Sequence, residues 1–166
     1  MRLLESAEGC DFNVRKNWSE GNVPKYAILS HTWGLDEEEV TFDDLGHGTG
    51  VDKNGYRKLK LCADLARHDE LTHFWVDTCC IDKRNSVELN TAITSMYRWY
   101  WQATKCYVYL SDVPREQSGV DHQDSEEQLV SDFSRCRWLT RGWTLQELLA
   151  PDVVEFYDKT GRKIGD

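Results

Sequence analysis

R-C-R-W-L-T-R-G-W-T-L-Q-E-L-L-A-P, residues 135–151, is the stretch around which the rest of the sequence is organised. The chain has a net charge of −9, yet this stretch contains three arginines and a single acidic residue. Thr144 is followed three residues later by Glu147, the spacing of a capping box, so we predict a helix that begins at Thr144 and stops at Pro151. Basic and aromatic groups at a helix N-terminus are typical of an anion-binding corner. Glu147 is therefore either a helix cap or a working carboxylate.

Length and composition favour one soluble domain. The chain has 166 residues, 40% of them hydrophobic and 30% charged, and is long enough to bury a core. The net charge of −9 argues against general nucleic-acid binding, which relies on a basic surface. No apolar run approaches the roughly 18 residues of a membrane span, and the N-terminus lacks a secretory apolar core. We expect a cytoplasmic protein whose six cysteines are reduced and mostly buried.

Short apolar segments alternate with helical patterns along the chain. We predict five strands, at residues 2–4, 26–30, 74–77, 106–110 and 153–158. Helices are predicted over residues 56–69 and 128–134, from Ser86 onward and from Thr144, with a polar surface loop over residues 115–127. This order indicates a three-layer α/β domain with a mainly parallel sheet of about five strands flanked by helices. We expect its core to lie within residues 24–158.

The ends of the predicted parallel strands locate a ligand site, because ligands bind at the carboxyl ends of such strands. Three segments should then lie along one edge: His31-Thr32-Trp33, Thr78-Cys79-Cys80 and Ser111-Asp112. His31 and Asp77 could contact a ligand there. A hydrogen-bonded structural histidine and a loop-anchoring aspartate are nevertheless the commoner outcomes.

The helix from Ser86 has one apolar stripe, formed by Leu89, Ile93, Met96, Tyr97 and Tyr100. Trp101 falls off this stripe, on a side that should be polar. An exposed Trp101 would therefore indicate a protein contact, whereas a buried one would only cover a neighbouring loop.

Four longer segments form a recognisable set. They are Y-A-I-L-S-H-T-W-G, W-V-D-T-C-C-I-D-K, M-Y-R-W-Y and S-R-C-R-W-L-T-R-G-W-T-L-Q-E-L-L-A-P. In this order, and over about residues 26–157, they closely resemble the fungal heterokaryon-incompatibility (HET) domain. The resemblance implies a domain of intracellular fungal proteins. Such proteins trigger programmed cell death when incompatible strains fuse. Because the chain stops at Gly165-Asp166 without a tail, we expect residues 1–166 to be a single HET domain excised from the N-terminus of a longer protein.

A second resemblance is to TIR domains, which have a flavodoxin-like fold. L-S-H-T-W-G is similar to the first TIR strand and its loop, and W-T-L-Q-E-L to the TIR segment that carries an essential glutamate. In catalytically active TIR domains this glutamate serves an NAD⁺ glycohydrolase, and by position it falls on Glu147. The resemblance implies a TIR-like fold, NAD⁺ as substrate without a further cofactor, and activation by self-association.

Release of nicotinamide from NAD⁺ passes through an oxocarbenium-like ribose that one positioned carboxylate can stabilise. We assign this catalytic role to Glu147. The leaving group is already good, so neither a metal nor a strong nucleophile is needed. The residues expected to bind the nucleotide are Arg137 or Arg141 at the diphosphate, Trp33 or Trp143 stacked on a base, and His31 and Asp77 at the strand ends.

Other interpretations remain open. The domain could be a non-catalytic death-signalling module that self-associates, with Glu147 as a helix cap and the arginines and Trp101 at an interface. Arg141 could instead form an ion pair with Asp77 or Asp82. A cysteine hydrolase would use the strand-end thiols of Cys79 and Cys80, although no hydrolase signature surrounds them. Zinc is weaker still, since no paired Cys/His spacing occurs.

Overall fold

The computed structural model describes residues 1–6, 12–15, 18, 21–114 and 122–166. Within these ranges seven strands occur: β1 Leu3–Ser6, β2 Phe12–Arg15, β3 Tyr26–His31, β4 His73–Trp75, β5 Lys105–Tyr109, β6 Val154–Tyr157 and β7 Lys163–Gly165. Six α-helices accompany them: α1 Phe42–His47, α2 Tyr56–His68, α3 Asp77–Cys80, α4 Ser86–Gln102, α5 His122–Arg135 and α6 Thr144–Leu149. Two 3₁₀ turns lie at Asp36–Glu38 and Arg137–Thr140.

The strands form one mixed sheet in the order β2-β1-β4-β3-β5-β6-β7. The four central strands, β4, β3, β5 and β6, run parallel, whereas β1, β2 and β7 pair antiparallel with their neighbours. The predicted α/β class is confirmed, and the predicted parallel pairing holds for the four central strands. The described residues form seven strands and not about five, and the sheet as a whole is mixed. β2 and β7 were not predicted from the sequence, because each is short and has no apolar run of its own. Each pairs with a neighbouring strand, β2 with β1 and β7 with β6.

The core lies around the parallel strands. Every residue of β3 is buried, as a near-continuous apolar run predicts for a strand covered on both faces. α2 packs on β3 and β4 through the helical stripe that includes Leu59 and Cys62. No helix among the described residues is both long and apolar enough to cross a membrane.

Two predicted boundaries change. β4 ends at Trp75, and Asp77 opens the short helix α3 instead of ending the strand. The predicted loop over residues 115–127 is helical from His122 onward, because α5 begins there. Residues 115–121 lie outside the described residues.

The parallel strands follow the chain order β3, β4, β5, β6 but lie in the sheet as β4-β3-β5-β6. The winding direction therefore reverses next to β3. In open α/β sheets, the crevice outside the strand ends at such a reversal is the usual ligand site. The carboxyl end of β3, which carries Ser30 and His31, lies at this point.

Candidate functional site

Glu147 on α6 is buried, and both of its carboxylate oxygens accept hydrogen bonds. Arg141 donates from Nη1 to Oε2 at 3.0 Å and from Nη2 to Oε1 at 3.1 Å. Ser30, at the end of β3, donates from Oγ to Oε2 at 2.5 Å. The Trp138 indole Nε1 lies 2.6 Å from Ser30 Oγ and 3.2 Å from Glu147 Oε2. The carboxylate is thus fixed by a strand, a 3₁₀ turn and its own helix.

The capping box predicted from Thr144 and Glu147 is wrong. α6 does begin at Thr144, but Trp143 occupies the N-cap position and makes no side-chain cap hydrogen bond. The Thr144 hydroxyl instead donates to the carbonyl oxygen of Trp138. Glu147 is consequently one residue too far into the helix for a capping box, and its side chain turns toward Ser30 and Arg141.

A cleft of about 360 Å³ opens beside Glu147. Its polar side chains are Asp77, Lys83, Arg141 and Glu147. Two indoles, Trp33 and Trp143, line it and are 43% and 46% exposed. The remaining lining residues are Ile81, Leu89, Ile93, Met96 and Gly142. An aromatic and apolar cleft with a few convergent charges is the usual form of a small-molecule site.

Most of the apolar stripe of α4 lines this cleft and does not lie in the core. Of the five stripe residues only Tyr100 is buried, whereas Leu89, Ile93 and Met96 line the cleft and Tyr97 is exposed. The periodicity correctly indicated a helix, but a cleft wall and a core face have the same pattern. Trp101 is 59% exposed, the outcome that indicates a protein contact.

A second polar group lies behind Asp77. His31 Nε2 is 3.7 Å from Asp77 Oδ1 and 4.0 Å from Glu39 Oε2. Glu39 Oε1 accepts hydrogen bonds from the Lys58 ammonium at 2.5 Å and from the Gly34 backbone at 2.6 Å. These groups come from β3 (His31), the segment after it (Gly34 and Glu39), α2 (Lys58) and α3 (Asp77).

The ionisation of this group follows from burial. Burial, followed by the positive charges of Lys58, Arg141 and Lys83, lowers the pKa of His31 well below its usual 6.5, so the imidazole is neutral. Burial raises the pKa of Asp77 to about 6, and the nearby Glu147 charge acts in the same direction. The hydrogen bond from Trp33 Nε1 to Asp77 Oδ2, 2.8 Å long, opposes this rise.

Five of the residues predicted for the site line one cleft: Trp33, Asp77, Arg141, Trp143 and Glu147. His31 lies behind Asp77, not in the cleft. Arg137 is exposed and outside the cleft, with its backbone N–H bonded to Asp112 Oδ2 at 2.7 Å. The alternative that Arg141 forms an ion pair is confirmed, but its partner is Glu147 and not Asp77 or Asp82, the two examples considered. Ser30, Glu39 and Lys83 were not predicted, because nothing in their local sequence marks them.

The cysteine alternative receives no support from the geometry. Cys79 and Cys80 are buried, and burial raises the pKa of the Cys79 thiol well above its usual value, which keeps it protonated. Cys62, Cys106 and Cys136 are buried free thiols as well, while Cys10 lies outside the described residues. Across the part of the chain that the structure describes, no group of three or more His, Cys, Asp or Glu side chains is placed to hold a metal ion.

Comparison with known proteins places these features in a family. The model of the family described as "Heterokaryon incompatibility protein (HET)" matches residues 26–121. Over 166 residues the chain is 52% identical to the vegetative incompatibility protein HET-E-1 of Podospora anserina, an alignment that covers 100% of this chain and 12% of that relative. The chain therefore spans about one-eighth of the length of this relative. No solved structure gives a significant match.

Proposed function

The chain belongs to the heterokaryon incompatibility (HET) family, and we propose that it acts in fungal incompatibility as a cell-death domain that hydrolyses NAD⁺. The name of the Podospora anserina relative supports the biological setting. The observation that carries the chemistry is Glu147, a fixed carboxylate that lines a cleft at the carboxyl end of β3.

The reaction needs little more than a positioned negative charge. The bond between ribose C1′ and the nicotinamide nitrogen breaks, its electron pair leaves with neutral nicotinamide, and positive charge develops on the ribose. A carboxylate whose donors are already in place stabilises that charge without reorganising during the reaction. Water then adds to C1′ and yields ADP-ribose and a proton. Glu147 is the group that meets this need in the cleft.

Arg141 gives the site a way to respond to its ligand. Its guanidinium is one-fifth exposed and makes both hydrogen bonds to Glu147. A diphosphate is the other ligand that suits a planar guanidinium fork. We infer that the diphosphate of NAD⁺ draws Arg141 away from Glu147 and leaves more of the carboxylate charge for the ribose. Trp33 and Trp143 provide exposed ring faces for base stacking.

The strand order supports the TIR-like part of the proposal. Numbered among themselves, the four parallel strands β3, β4, β5 and β6 lie in the sheet as 2-1-3-4. The flavodoxin-like order is 2-1-3-4-5, with its ligand at the reversal between the first and third strands. Ser30 of β3, which holds Glu147, lies next to that reversal.

A second candidate function is a non-catalytic module that signals by self-association. Its support is a set of exposed apolar side chains on α4 and α6, two helices in contact. We refer to five of these exposed side chains, Ile93, Tyr97, Trp101, Leu145 and Leu149, as the α4/α6 surface. Exposed apolar side chains on neighbouring elements mark protein contacts. The same surface would let copies of the enzyme cluster, so the two candidates differ in whether NAD⁺ is consumed.

Nicotinamide release decides between them. We would incubate the purified domain with NAD⁺, once as the dilute protein and once fused to a tetramerising coiled coil, and follow nicotinamide by chromatography. The enzyme proposal predicts release that rises on clustering. Clustered protein that leaves NAD⁺ intact would favour the non-catalytic module.

A further inference from the structure

Around the carboxyl end of β3, three buried polar atoms have no hydrogen-bond partner among the described residues: His31 Nε2, Glu39 Oε2 and Asp77 Oδ1. His31 Nε2 lies 3.7 Å from Asp77 Oδ1 and 4.0 Å from Glu39 Oε2. Unsatisfied polar atoms are uncommon in folded cores because each costs free energy. The ring nitrogen of His31 is thus near two carboxyl groups, each of which has an oxygen without a hydrogen-bond donor among the described residues.

Charge pairing singles out Asp77 within this region. Glu147 is paired with Arg141, and Glu39 is paired with Lys58. Among the described residues Asp77 has no such ion pair: the neutral imidazole of His31 lies beside Oδ1, and the Trp33 indole donates to Oδ2. The charges of Lys83 and Arg141 still act to lower the pKa of Asp77, but burial outweighs them and raises it.

Asp77 also reaches the ligand, since its side chain is 16% exposed and lines the same cleft as Glu147. Two carboxylates that share a cleft in contrasting environments commonly divide acid–base roles. In this cleft Glu147 is the carboxylate held by hydrogen bonds from Arg141 and Ser30, and Asp77 is the carboxylate whose pKa burial raises.

We propose that Asp77 is the general base of the cleft, the group that accepts a proton from the water that attacks ribose C1′. This role rests on the proposed NAD⁺ hydrolysis. In the step, a water O–H bond breaks, its oxygen forms the new bond to C1′, and the proton passes to an Asp77 oxygen. Asp77 then returns the proton to solvent through the cleft, which balances the proton released with ADP-ribose.

The groups that face Asp77 set the pH range of this exchange. They are His31 from β3, Lys83 from the loop after α3, Arg141 from the segment before α6, and Glu147 from α6. Burial is the largest influence and raises the pKa of Asp77 to about 6. A base with this pKa is deprotonated at pH 7 and still accepts a proton efficiently.

The test combines a titration that needs no activity with a kinetic profile. The indole N–H of Trp33, assigned with Trp33→Phe, would be followed by nuclear magnetic resonance from pH 4.5 to 8. We expect a titration with a midpoint near 6 that Asp77→Asn abolishes and the surface control Asp52→Asn retains. In clustered protein, kcat for NAD⁺ should fall as the pH drops through the same range. Asp77→Asn should lower kcat about 100-fold with little change in KM and remove that acidic limb.

The outcomes separate this role from the reaction on which it rests. If Asp77→Asn left kcat and the acidic limb intact, or if the Trp33 titration survived in Asp77→Asn, Asp77 would not be the base. If wild-type protein released no nicotinamide, NAD⁺ hydrolysis would be overturned and the catalytic role of Asp77 with it, whatever the titration showed. A folded Asp77→Asn is expected because asparagine can still accept the Trp33 hydrogen bond.

Discussion

Arg141 and Glu147 form a two-point ion pair, with Nη1–Oε2 and Nη2–Oε1 distances of 3.0 and 3.1 Å. Glu147 is the residue that the TIR resemblance marks as catalytic, and Arg141 is one that we expected at a diphosphate. In the unliganded protein, each of the two side chains is thus held in place by its hydrogen bonds to the other. A ligand that displaces Arg141 from this pair would therefore change the hydrogen bonds of Glu147.

Glu147→Ala should be markedly less stable than Glu147→Gln. Alanine leaves Arg141, the Ser30 hydroxyl and the Trp138 indole without their acceptor, which we expect to lower the free energy of unfolding by about 3 kcal/mol. Glutamine keeps one acceptor oxygen, so about half that loss is expected. Urea denaturation of the two variants and of the surface control Glu37→Gln measures the difference. Equal stability of the alanine variant and the wild type would mean that the carboxylate is not held as described.

Asp77→Asn should stabilise the protein in a pH-dependent way. The folded-state pKa of Asp77, about 6, lies above the unfolded value near 4, so wild-type Asp77 favours folding only while it is protonated. This contribution is fully present below about pH 4 and is lost as the pH rises through 6. The variant should match the wild type near pH 4 and exceed it by about 3 kcal/mol at pH 8.

Thermal or urea unfolding at several pH values checks this expectation. The difference between the two proteins is the useful quantity, because His31 acts with the opposite sign. Its lowered pKa stabilises the fold above pH 6.5, and this stability is lost as the pH falls. A difference that does not change between pH 4 and pH 8 would contradict the account.

The sequence predicted those helices and strands whose pattern of apolar residues lies within a single short stretch of the chain. The buried run of β3 and the periodic pattern of α4 both predicted real elements, because strand and helix leave different periods in the sequence. The edge strands β2 and β7 were missed, since their stability comes from pairing with β1 and β6 and not from an apolar run.

The candidate site could be predicted only in part, because most of its contacts join residues that are far apart in the sequence. Glu147 could be singled out, but the Thr144 spacing suggested a cap that the structure does not contain. Its true partners Ser30 and Trp138 lie 117 and 9 residues away in the chain, and no local pattern links them. Tertiary contacts that join distant segments therefore decided the role of the side chain.

Glu70→Gly should stabilise the C-terminal end of α2. Glu70 has a φ of 60°, a left-handed conformation that costs a residue with a Cβ more than glycine. The hydrogen bonds from Glu70 N to Arg67 O and from Leu71 N to Ala66 O form a Schellman motif, which requires that conformation. We expect the free energy of unfolding to rise by about 1 kcal/mol, as measured by urea denaturation. Glu70→Ala keeps the strain, so it serves as the control and should show no such gain.

Trp101→Arg combined with Leu149→Arg should weaken self-association. Both side chains are exposed, and arginine would place like charges on two facing copies of the α4/α6 surface. Sedimentation velocity over a range of concentrations should show a dissociation constant raised at least about tenfold. Val51→Arg, an exposed apolar position in the loop before α2, is the matched control. Equal association of the control and the double variant would exclude this surface.

NAD⁺ turnover by clustered wild-type protein, Glu147→Gln and Glu37→Gln tests the central claim most directly. All three carry the same clustering fusion, and the two variants make the same chemical change, at a buried cleft carboxylate and at an exposed one. We predict nicotinamide release by the wild type and by Glu37→Gln, and a loss of at least about 100-fold in Glu147→Gln that remains folded. Undiminished release by folded Glu147→Gln, or no release by the clustered wild type, would contradict it.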